Sequence, residues 1–227
     1  MVLIYAHRGS SGSYPENTLL AFRKAIEAGV AGIELDVHAT SDGIPVIVHD
    51  RAIERTTNGA GCVDEMPLAR LQGFDAGQGE QIPTLLDVLD IVPATVHLDI
   101  EIKGSGIEAN VLAVLAGVPR DRWAISSFDW STLQSLRALD AGIVLWPLAE
   151  TVDAALFAIA RELRAPAVSL YSGAYSAESA SSLREAGLAA VIWTVNDLRE
   201  ASRVRDLGAY ALCTDYPEQI AQALSAP

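Results

Sequence analysis

The 227-residue chain contains few cysteines and few basic side chains. Its two cysteines, Cys62 and Cys213, lie far apart and match neither a metal-binding spacing nor a disulfide pattern. Aspartate and glutamate number 29 against 16 lysines and arginines, which gives a formal net charge of −13. Nucleic acids and anionic membranes bind surfaces with clustered cations, so this balance argues against either kind of partner.

Long apolar runs are also missing. No stretch approaches the ~20 apolar residues that a membrane-spanning helix requires. The N-terminal sequence MVLIYAHRG lacks the basic region and long apolar region of a signal peptide. We therefore expect a cytoplasmic protein without a stable membrane anchor, either a monomer or a homodimer. The length and the apolar content of 50% suit a single domain over residues 1–227.

Residues 31–50 contain an unusual concentration of ionisable side chains in the sequence AGIELDVHATSDGIPVIVHD. Apolar and polar residues alternate with a period of two in the first half, which predicts a β-strand with one polar face. An Asp-Gly turn at residues 42–43 and a short apolar run follow, so we predict an antiparallel hairpin. With the turn centred there, His49 would lie opposite Asp36 and join Glu34 in one polar cluster.

Residues 96–103, VHLDIEIK, repeat this alternation. Four ionisable side chains share one face of this predicted strand: His97, Asp99, Glu101 and Lys103. Such a face is costly to bury unless its members meet partners or a metal ion. Residues 50–81, between the two strands, are rich in glycine and polar residues and are long for a loop, which indicates a functional segment or a small inserted subdomain.

From residue 106 onwards, helical and strand-like segments alternate, which predicts βα units and a parallel sheet. The predicted pairs are helix 106–116 with strand 123–128, helix 131–140 with strand 143–148, helix 152–163 with strand 167–172, helix 176–186 with strand 189–195, and helix 197–207 with strand 210–215. Nine strand-like segments favour an α/β fold, a distorted TIM (β/α)8 barrel in which the hairpin's return strand is surplus. The alternative is an open doubly wound sheet, but the first turn, HRGSSGSYPEN, lacks its glycine fingerprint.

In such barrels, active sites lie at the C-terminal ends of the strands. Glu34, Asp36 and Glu101 are hard oxygen ligands that suit Mg²⁺ or Ca²⁺ better than zinc. The alternative is that they form ion pairs with Arg8 and Lys103 and bind no metal. Carboxylates at close range raise each other's pKa, which favours the metal.

His7 and His49 can act as a general acid and a general base, because imidazole titrates near neutral pH. Arg8 and Lys103 can hold an anion such as phosphate. A metal, two cations and two histidines together are typical of phosphodiester cleavage. We interpret the remaining two histidines as structural: His38 and His97.

Nine motifs resemble, in the same order, those of the glycerophosphodiester phosphodiesterase family, and together they span nearly the whole chain. They are AHRG (6–9), PENT (15–18), ELDVHATSDGIPVIVHD (34–50), RTTNGAG (55–61), IPTLLDVL (82–89), DIEIKG (99–104), SSF (126–128), WTVND (193–197) and CTDYP (213–217). Their combination is far more specific than any one of them.

The resemblance implies a distorted TIM barrel in which residues 50–81 form a small inserted subdomain. It implies an acid/base pair (His7 and His49), three ligands of Mg²⁺ or Ca²⁺ (Glu34, Asp36 and Glu101) and four substrate-binding residues (Arg8, Lys103, Phe128 and Trp193). The implied substrates are small glycerophosphodiesters, the deacylated phospholipids, which the family converts to sn-glycerol 3-phosphate and an alcohol. One departure is Asp99, where the family usually has asparagine. Its extra negative charge would tighten metal binding or recruit a second cation.

Two other functions remain as alternatives. A lysophospholipase D-type enzyme would need an apolar channel at the barrel mouth, whereas the predicted insertion is polar. A non-catalytic barrel that binds phosphorylated ligands would not need the proton-transfer pair of His7 and His49. The sequence therefore favours the glycerophosphodiesterase.

Overall fold

The computed structural model describes residues 2–225. The ends of the predicted domain, residue 1 and residues 226–227, lie outside the described residues. The strands are β1 (Leu3–His7), β2 (Gly32–Ala39), β3 (Pro45–Ile47), β4 (His97–Ile102), β5 (Trp123–Ser127), β6 (Leu145–Ala149), β7 (Ala167–Tyr171), β8 (Ala189–Trp193) and β9 (Ala211–Thr214). From residue 106 onwards, each predicted strand and helix begins and ends within two residues of its predicted boundary.

The helices follow the strands in the predicted alternation. They are α1 (Leu19–Glu27), α2 (Leu68–Leu71), α3 (Leu85–Ile91), α4 (Glu108–Leu115), α5 (Trp130–Leu139), α6 (Ala154–Glu162), α7 (Ala177–Glu185), α8 (Leu198–Asp206) and α9 (Pro217–Ser225). Side-chain caps mark several starts; Thr18 caps α1, and Thr84 forms a capping box with Asp87 at α3. In the described part of the chain, no helix has the length and apolar character needed to cross a membrane.

Eight parallel strands close into a barrel. β1 pairs with β2 on one side and with β9 on the other, and the remaining strands follow in sequence order from β4 to β9. The remaining strand, β3, is not one of the eight parallel strands; it pairs with β2 in the antiparallel sense, and its Val46 forms an isolated bridge with Thr84. The predicted distorted TIM barrel is therefore confirmed, and the hairpin's return strand is the surplus strand.

Alternation along the strands separates the apolar core from the barrel interior. Outward-facing residues such as Ile33, Leu35 and Leu98 belong to the main apolar core, which also contains residues of the surrounding helices. A smaller apolar cluster fills part of the interior: Tyr5, Ala124, Trp146, Ala167, Val191, Ala211 and Cys213. Glu34 and Asp36 alternate with the outward-facing residues and are buried, so β2 directs its carboxylates inward.

The predicted register of the hairpin is wrong by one residue. Thr40 N donates to Ile44 O, so the loop has three residues, 41–43, instead of two. Gly43 takes φ +80 at the last loop position, as three-residue hairpins favour. As a result Asp36 O accepts from the backbone N of Val48, and His49 does not lie opposite Asp36.

Residues 50–81 contain short helical turns rather than long elements. They hold the turns Ile53–Arg55 and Val63–Glu65 and the helix α2. A separate apolar cluster joins this segment to β3 and to the start of the next helix: Val46, Val48, Ile53, Val63, Met66, Leu71, Ala76 and Ile82. The segment therefore has its own small core next to the barrel.

The loop after β1 turns back onto α1 at a glycine that tolerates no side chain. Gly9 has φ +81, in the left-handed region that other residues rarely adopt. A Cβ there would lie 2.7 Å from the backbone carbonyl carbon of Ala21, whose oxygen also accepts from Ser10 N. Gly9 thus determines how the chain leaves β1 directly after His7 and Arg8.

Gly9→Ala should destabilise the fold more than Gly29→Ala. Gly29 has a similar φ, +75, but nothing lies within 4 Å of its added Cβ. We expect Gly29→Ala to lower the free energy of unfolding by about 1–2 kcal/mol, the cost of a left-handed alanine. Gly9→Ala should lower it by about 1–3 kcal/mol more because of steric overlap. Urea unfolding measures both, and equal losses would contradict the steric argument.

Candidate active site

The C-terminal ends of the barrel strands surround a cavity of about 130 Å³. Eight of the nine predicted site residues line it: His7, Arg8, Glu34, His49, Glu101, Lys103, Phe128 and Trp193. The ninth, Asp36, is fully buried. His49 reaches the cavity because the chain leaves the β-ladder after Ile47, not through the predicted pairing with Asp36.

The three predicted metal ligands come together at this end of the barrel. Glu34, Asp36 and Glu101 each offer a carboxylate oxygen, and these oxygens lie within 4.8 Å of one another. The parallel register explains the grouping, because Asp36 pairs with Glu101 and Glu34 with Asp99 across β2 and β4. All four side chains are buried.

Two cations and one amide already contact this group. Lys103 Nζ lies 2.6 Å from Glu101 Oε1 and 3.1 Å from Asp36 Oδ1. Arg8 Nε lies 3.1 Å from Asp36 Oδ2, which also accepts from Asn17 Nδ2 at 2.7 Å. The ion pairing considered as the alternative to a metal therefore exists at Asp36 and at Glu101. The sequence did not assign a role to Asn17, which appears only within the motif PENT (15–18).

Burial and pairing give the carboxylates different pKa values. Burial, reinforced by Asp36 and Glu101, raises the pKa of Glu34 well above its usual value. Burial also raises the pKa of Glu101 to about 7, against the opposing effect of Lys103. Burial raises the pKa of Asp99 to about 7 as well. Asp36 is the exception, since burial would raise its pKa but Lys103 and the other nearby cations hold it below the usual value.

A divalent cation fits these residues. Glu34 Oε1 is buried and, among the described residues, no donor forms a hydrogen bond with it. The barrel mouth buries four carboxylates, and the lysine and arginine side chains that form ion pairs with them among the described residues are Arg8 and Lys103. Ionisation of all four carboxylates would therefore leave two negative charges for a bound cation to neutralise. Carboxylate oxygens without sulfur ligands are typical of Mg²⁺ or Ca²⁺ sites.

His7 is held by a carboxylate from the last strand of the barrel. Its Nδ1 lies 2.6 Å from Asp215 Oδ1, and its Nε2 lies 3.9 Å from Glu34 Oε2. Asp215 is fixed in turn by Ser11 Oγ at 3.0 Å and Asn196 Nδ2 at 2.6 Å. Asp215 ends the predicted strand 210–215 and Asn196 follows the predicted strand 189–195, but the sequence alone gave neither residue a role.

His49 is held by a chain of ion pairs that begins in the segment 50–81. Its Nδ1 lies 2.5 Å from Asp50 Oδ1, and Arg55 holds the pKa of Asp50 at about 2. Arg55 also contacts Glu16, which contacts Arg8 at 3.0 Å. Burial lowers the pKa of His49. No pattern in the sequence predicted this chain of ion pairs from His49 to Arg8.

The other two histidines lie outside the carboxylate cluster. His38 Nε2 lies 3.0 Å from the backbone oxygen of His49 and so contacts the main chain of that residue. His97, at the start of β4, stacks on Trp146 with ring centroids 5.3 Å apart and an interplanar angle of 15°. Burial lowers the pKa of His97 to about 4.

The comparison with known proteins agrees with this geometry. The model of the "Glycerophosphoryl diester phosphodiesterase family" matches residues 7–219. The chain belongs to this family. A glycerophosphodiester phosphodiesterase from Caldanaerobacter subterraneus is 33% identical to it over 96% of each chain. One from Bacillus altitudinis is 32% identical, also over 96% of each chain.

Solved structures of phosphodiesterases share the fold. A phosphodiesterase from Oleispira antarctica, solved in complex with the product sn-glycerol-3-phosphate, superposes with a TM-score of 0.94. It is 33% identical, and the match covers 99% of this chain and 97% of the other. A glycerophosphodiester phosphodiesterase from Thermotoga maritima superposes with a TM-score of 0.83 at 29% identity, over 98% of each chain. The family resemblance expected from the nine motifs is confirmed.

The low pKa of His97 predicts an acid-sensitive contribution to stability. An unfolded histidine titrates near 6.5, so between pH 6.5 and about 4 the unfolded chain binds a proton that buried His97 does not. The free energy of unfolding should therefore decrease as the pH is lowered from 6.5 to about 4, whereas above pH 6.5 His97 should make it no more dependent on pH. Urea unfolding at pH 7 and pH 5 should show a smaller loss for His97→Phe than for the wild type. Equal losses would show that His97 titrates normally.

Proposed function

We propose that the protein hydrolyses small glycerophosphodiesters to sn-glycerol 3-phosphate and an alcohol, using a divalent cation and a histidine pair. The observation that carries the proposal is that His7, His49, Glu34, Glu101, Arg8 and Lys103 line the same cavity. The product bound in the Oleispira antarctica enzyme supports the assignment of sn-glycerol 3-phosphate.

Glu34, Asp36 and Glu101 would hold Mg²⁺ or Ca²⁺. The bound ion supplies positive charge that stabilises the charge developing on the phosphoryl oxygens. Arg8 and Lys103 contribute to the same stabilisation, since both side chains already lie at the edge of the cluster and line the cavity. Asp36 orients both cations, because each of its oxygens faces one of them.

His7 and His49 transfer the protons in this proposal. One imidazole accepts the proton of the attacking hydroxyl, which belongs to water or to the substrate's glycerol, and the other protonates the leaving alkoxide. Each Nδ1 contacts a carboxylate, Asp215 for His7 and Asp50 for His49, so each Nε2 is left for the substrate. This arrangement fixes the orientation of both rings before the substrate binds.

We propose that residues 50–81 are the inserted subdomain of a single barrel domain and shape one wall of the site. The ion pairs from Arg55 to Glu16 and from Glu16 to Arg8 connect this segment to the cluster. Phe128 and Trp193 line the cavity and would contact the organic part of the substrate. The cytoplasmic location and the monomeric or dimeric state stay predictions.

Removal of divalent cations should abolish hydrolysis of glycerophosphocholine, measured as release of glycerol 3-phosphate. Activity should return when Mg²⁺ or Ca²⁺ is added after EDTA treatment. Glu34→Gln should raise the cation concentration needed for half-maximal activity by about tenfold or more, because one charged ligand is lost. Glu65→Gln is the matched control, since Glu65 belongs to an exposed acidic group that pairs with Arg51. Full activity in EDTA would contradict the metal assignment.

His7→Ala and His49→Ala should each lower kcat by roughly 100-fold or more, the usual contribution of a positioned acid or base. His97→Phe replaces a histidine at the opposite end of the barrel and should retain the wild-type rate. Steady-state kinetics with glycerophosphocholine and saturating cation distinguish these variants. Wild-type rates in both alanine variants would remove the proposed roles.

A further inference from the structure

Three aromatic side chains form a rim on one side of the cavity mouth. Phe128 follows β5, Tyr171 ends β7 and Trp193 ends β8. The ring centroids of Phe128 and Trp193 lie 5.4 Å apart at 85°, and those of Tyr171 and Trp193 lie 5.7 Å apart at 51°. The rings are inclined rather than stacked, so they do not cover one another face to face. We call these three residues the aromatic rim.

Two residues of the aromatic rim are exposed although their rings are large and apolar, and Trp193 between them is half-buried. Phe128 and Tyr171 each expose 47% of their surface. Exposed apolar groups that cluster beside a cavity are typical of ligand contacts. At one end the rim approaches the phosphate-binding cations, since Lys103 Nζ lies 6.0 Å from the centre of the Phe128 ring. A ligand held by Lys103 would therefore reach the rim with a short extension.

Charge is distributed unequally around the mouth. The segments that connect β5, β6, β7, β8 and β9 to their following helices lie wholly within the described residues and contain no lysine or arginine. They contain five carboxylates: Asp129, Glu150, Asp153, Asp197 and Asp215. The segments after β1, β3 and β4 contain both signs of charge. Their five basic residues are Arg8, Arg51, Arg55, Arg70 and Lys103, and their seven carboxylates are Glu16, Asp50, Glu54, Asp64, Glu65, Asp75 and Glu80. Among the five aromatic-side segments, three aspartates cap helices and Asp215 contacts His7, but no basic side chain within these segments offsets their negative charge.

We propose that the aromatic rim binds a cationic alcohol group, so that the enzyme prefers glycerophosphodiesters whose leaving alcohol carries an ammonium nitrogen. This inference rests on the proposed function and specifies its substrate class. The negative faces of aromatic rings attract ammonium ions, and nearby carboxylates reinforce the attraction. A zwitterionic diester would place its phosphate beside Arg8 and Lys103 and its nitrogen over the rim. Arg8 and Lys103 in the cavity suit the phosphate, and the lack of basic residues in the described segments after β5 to β9 suits the ammonium group.

An acyl chain fits this side of the mouth less well than a cation does. The chain would need a continuous apolar surface beyond the rings, whereas the adjoining segments after β6 and β8 present the polar sequences ETVD and TVND. Glu150, the first residue after β6, is exposed. A neutral sugar or glycerol head group would gain no charge–charge attraction from the five carboxylates.

The test compares glycerophosphocholine with its neutral carbon isostere, glycerophospho-3,3-dimethylbutanol, which has the same shape and no charge. We expect the wild type to favour the choline ester about tenfold in kcat/KM, the scale of a cation–π contact in a partly desolvated site. Tyr171→Leu should reduce this preference to about threefold, and Tyr171→Phe should keep it, because the ring remains. Tyr210→Leu is the matched control, since Tyr210 is comparably exposed but precedes β9 at the opposite end of the barrel.

The possible outcomes separate this inference from the proposed function. Equal kcat/KM for the choline ester and its isostere, or an unchanged preference in Tyr171→Leu, would overturn cation binding by the rim. Hydrolysis of both diesters without discrimination leaves the glycerophosphodiesterase activity standing, whereas hydrolysis of neither contradicts that activity itself. Circular dichroism of the variants at matched concentration confirms that they are folded.

Discussion

An excess of buried negative charge at the open end of the barrel is the constraint on which the rest of the site depends. Asp36 is ionised despite complete burial, because Lys103 and Arg8 hold its pKa below the usual value. Glu34 and Glu101 have fewer cationic contacts, and burial raises the pKa of both. The protein's own cations therefore neutralise part of the cluster, and more positive charge is needed before all its carboxylates can ionise together.

Apolar packing on the outer face of the barrel stabilises the strand register that buries these carboxylates. In-register pairing of β2 with β4 brings Asp36 next to Glu101 on the inner face. The same pairing places Leu35 next to Ile100 on the outer face, where both join the main apolar core. A slip of one residue would expose the apolar side chains to the interior and turn the carboxylates outward. Packing of the helices on the sheet thus keeps the carboxylates converged on the cavity.

Local periodicity predicted much of this structure. The alternation in residues 31–50 and 96–103 was sufficient to predict both acidic strands. The alternation of helices and strands after residue 106 was sufficient to predict the barrel. The hairpin register was not predictable at the same level, because the Asp-Gly signal fits two-residue and three-residue loops alike. The side chain of Thr40 decides in favour of the longer loop by accepting from Ile44 N at 2.9 Å. Such a contact is visible only once the turn has formed.

The partner of His7 was hidden from the sequence for a different reason, since Asp215 lies 208 residues away. Closure of the barrel pairs Ala6 with Thr214, and the next residue on each strand is then His7 and Asp215. The contact therefore follows from the register between the first and last strands, which no local pattern encodes. It also means that His7 acquires its orienting carboxylate only when β9 docks against β1.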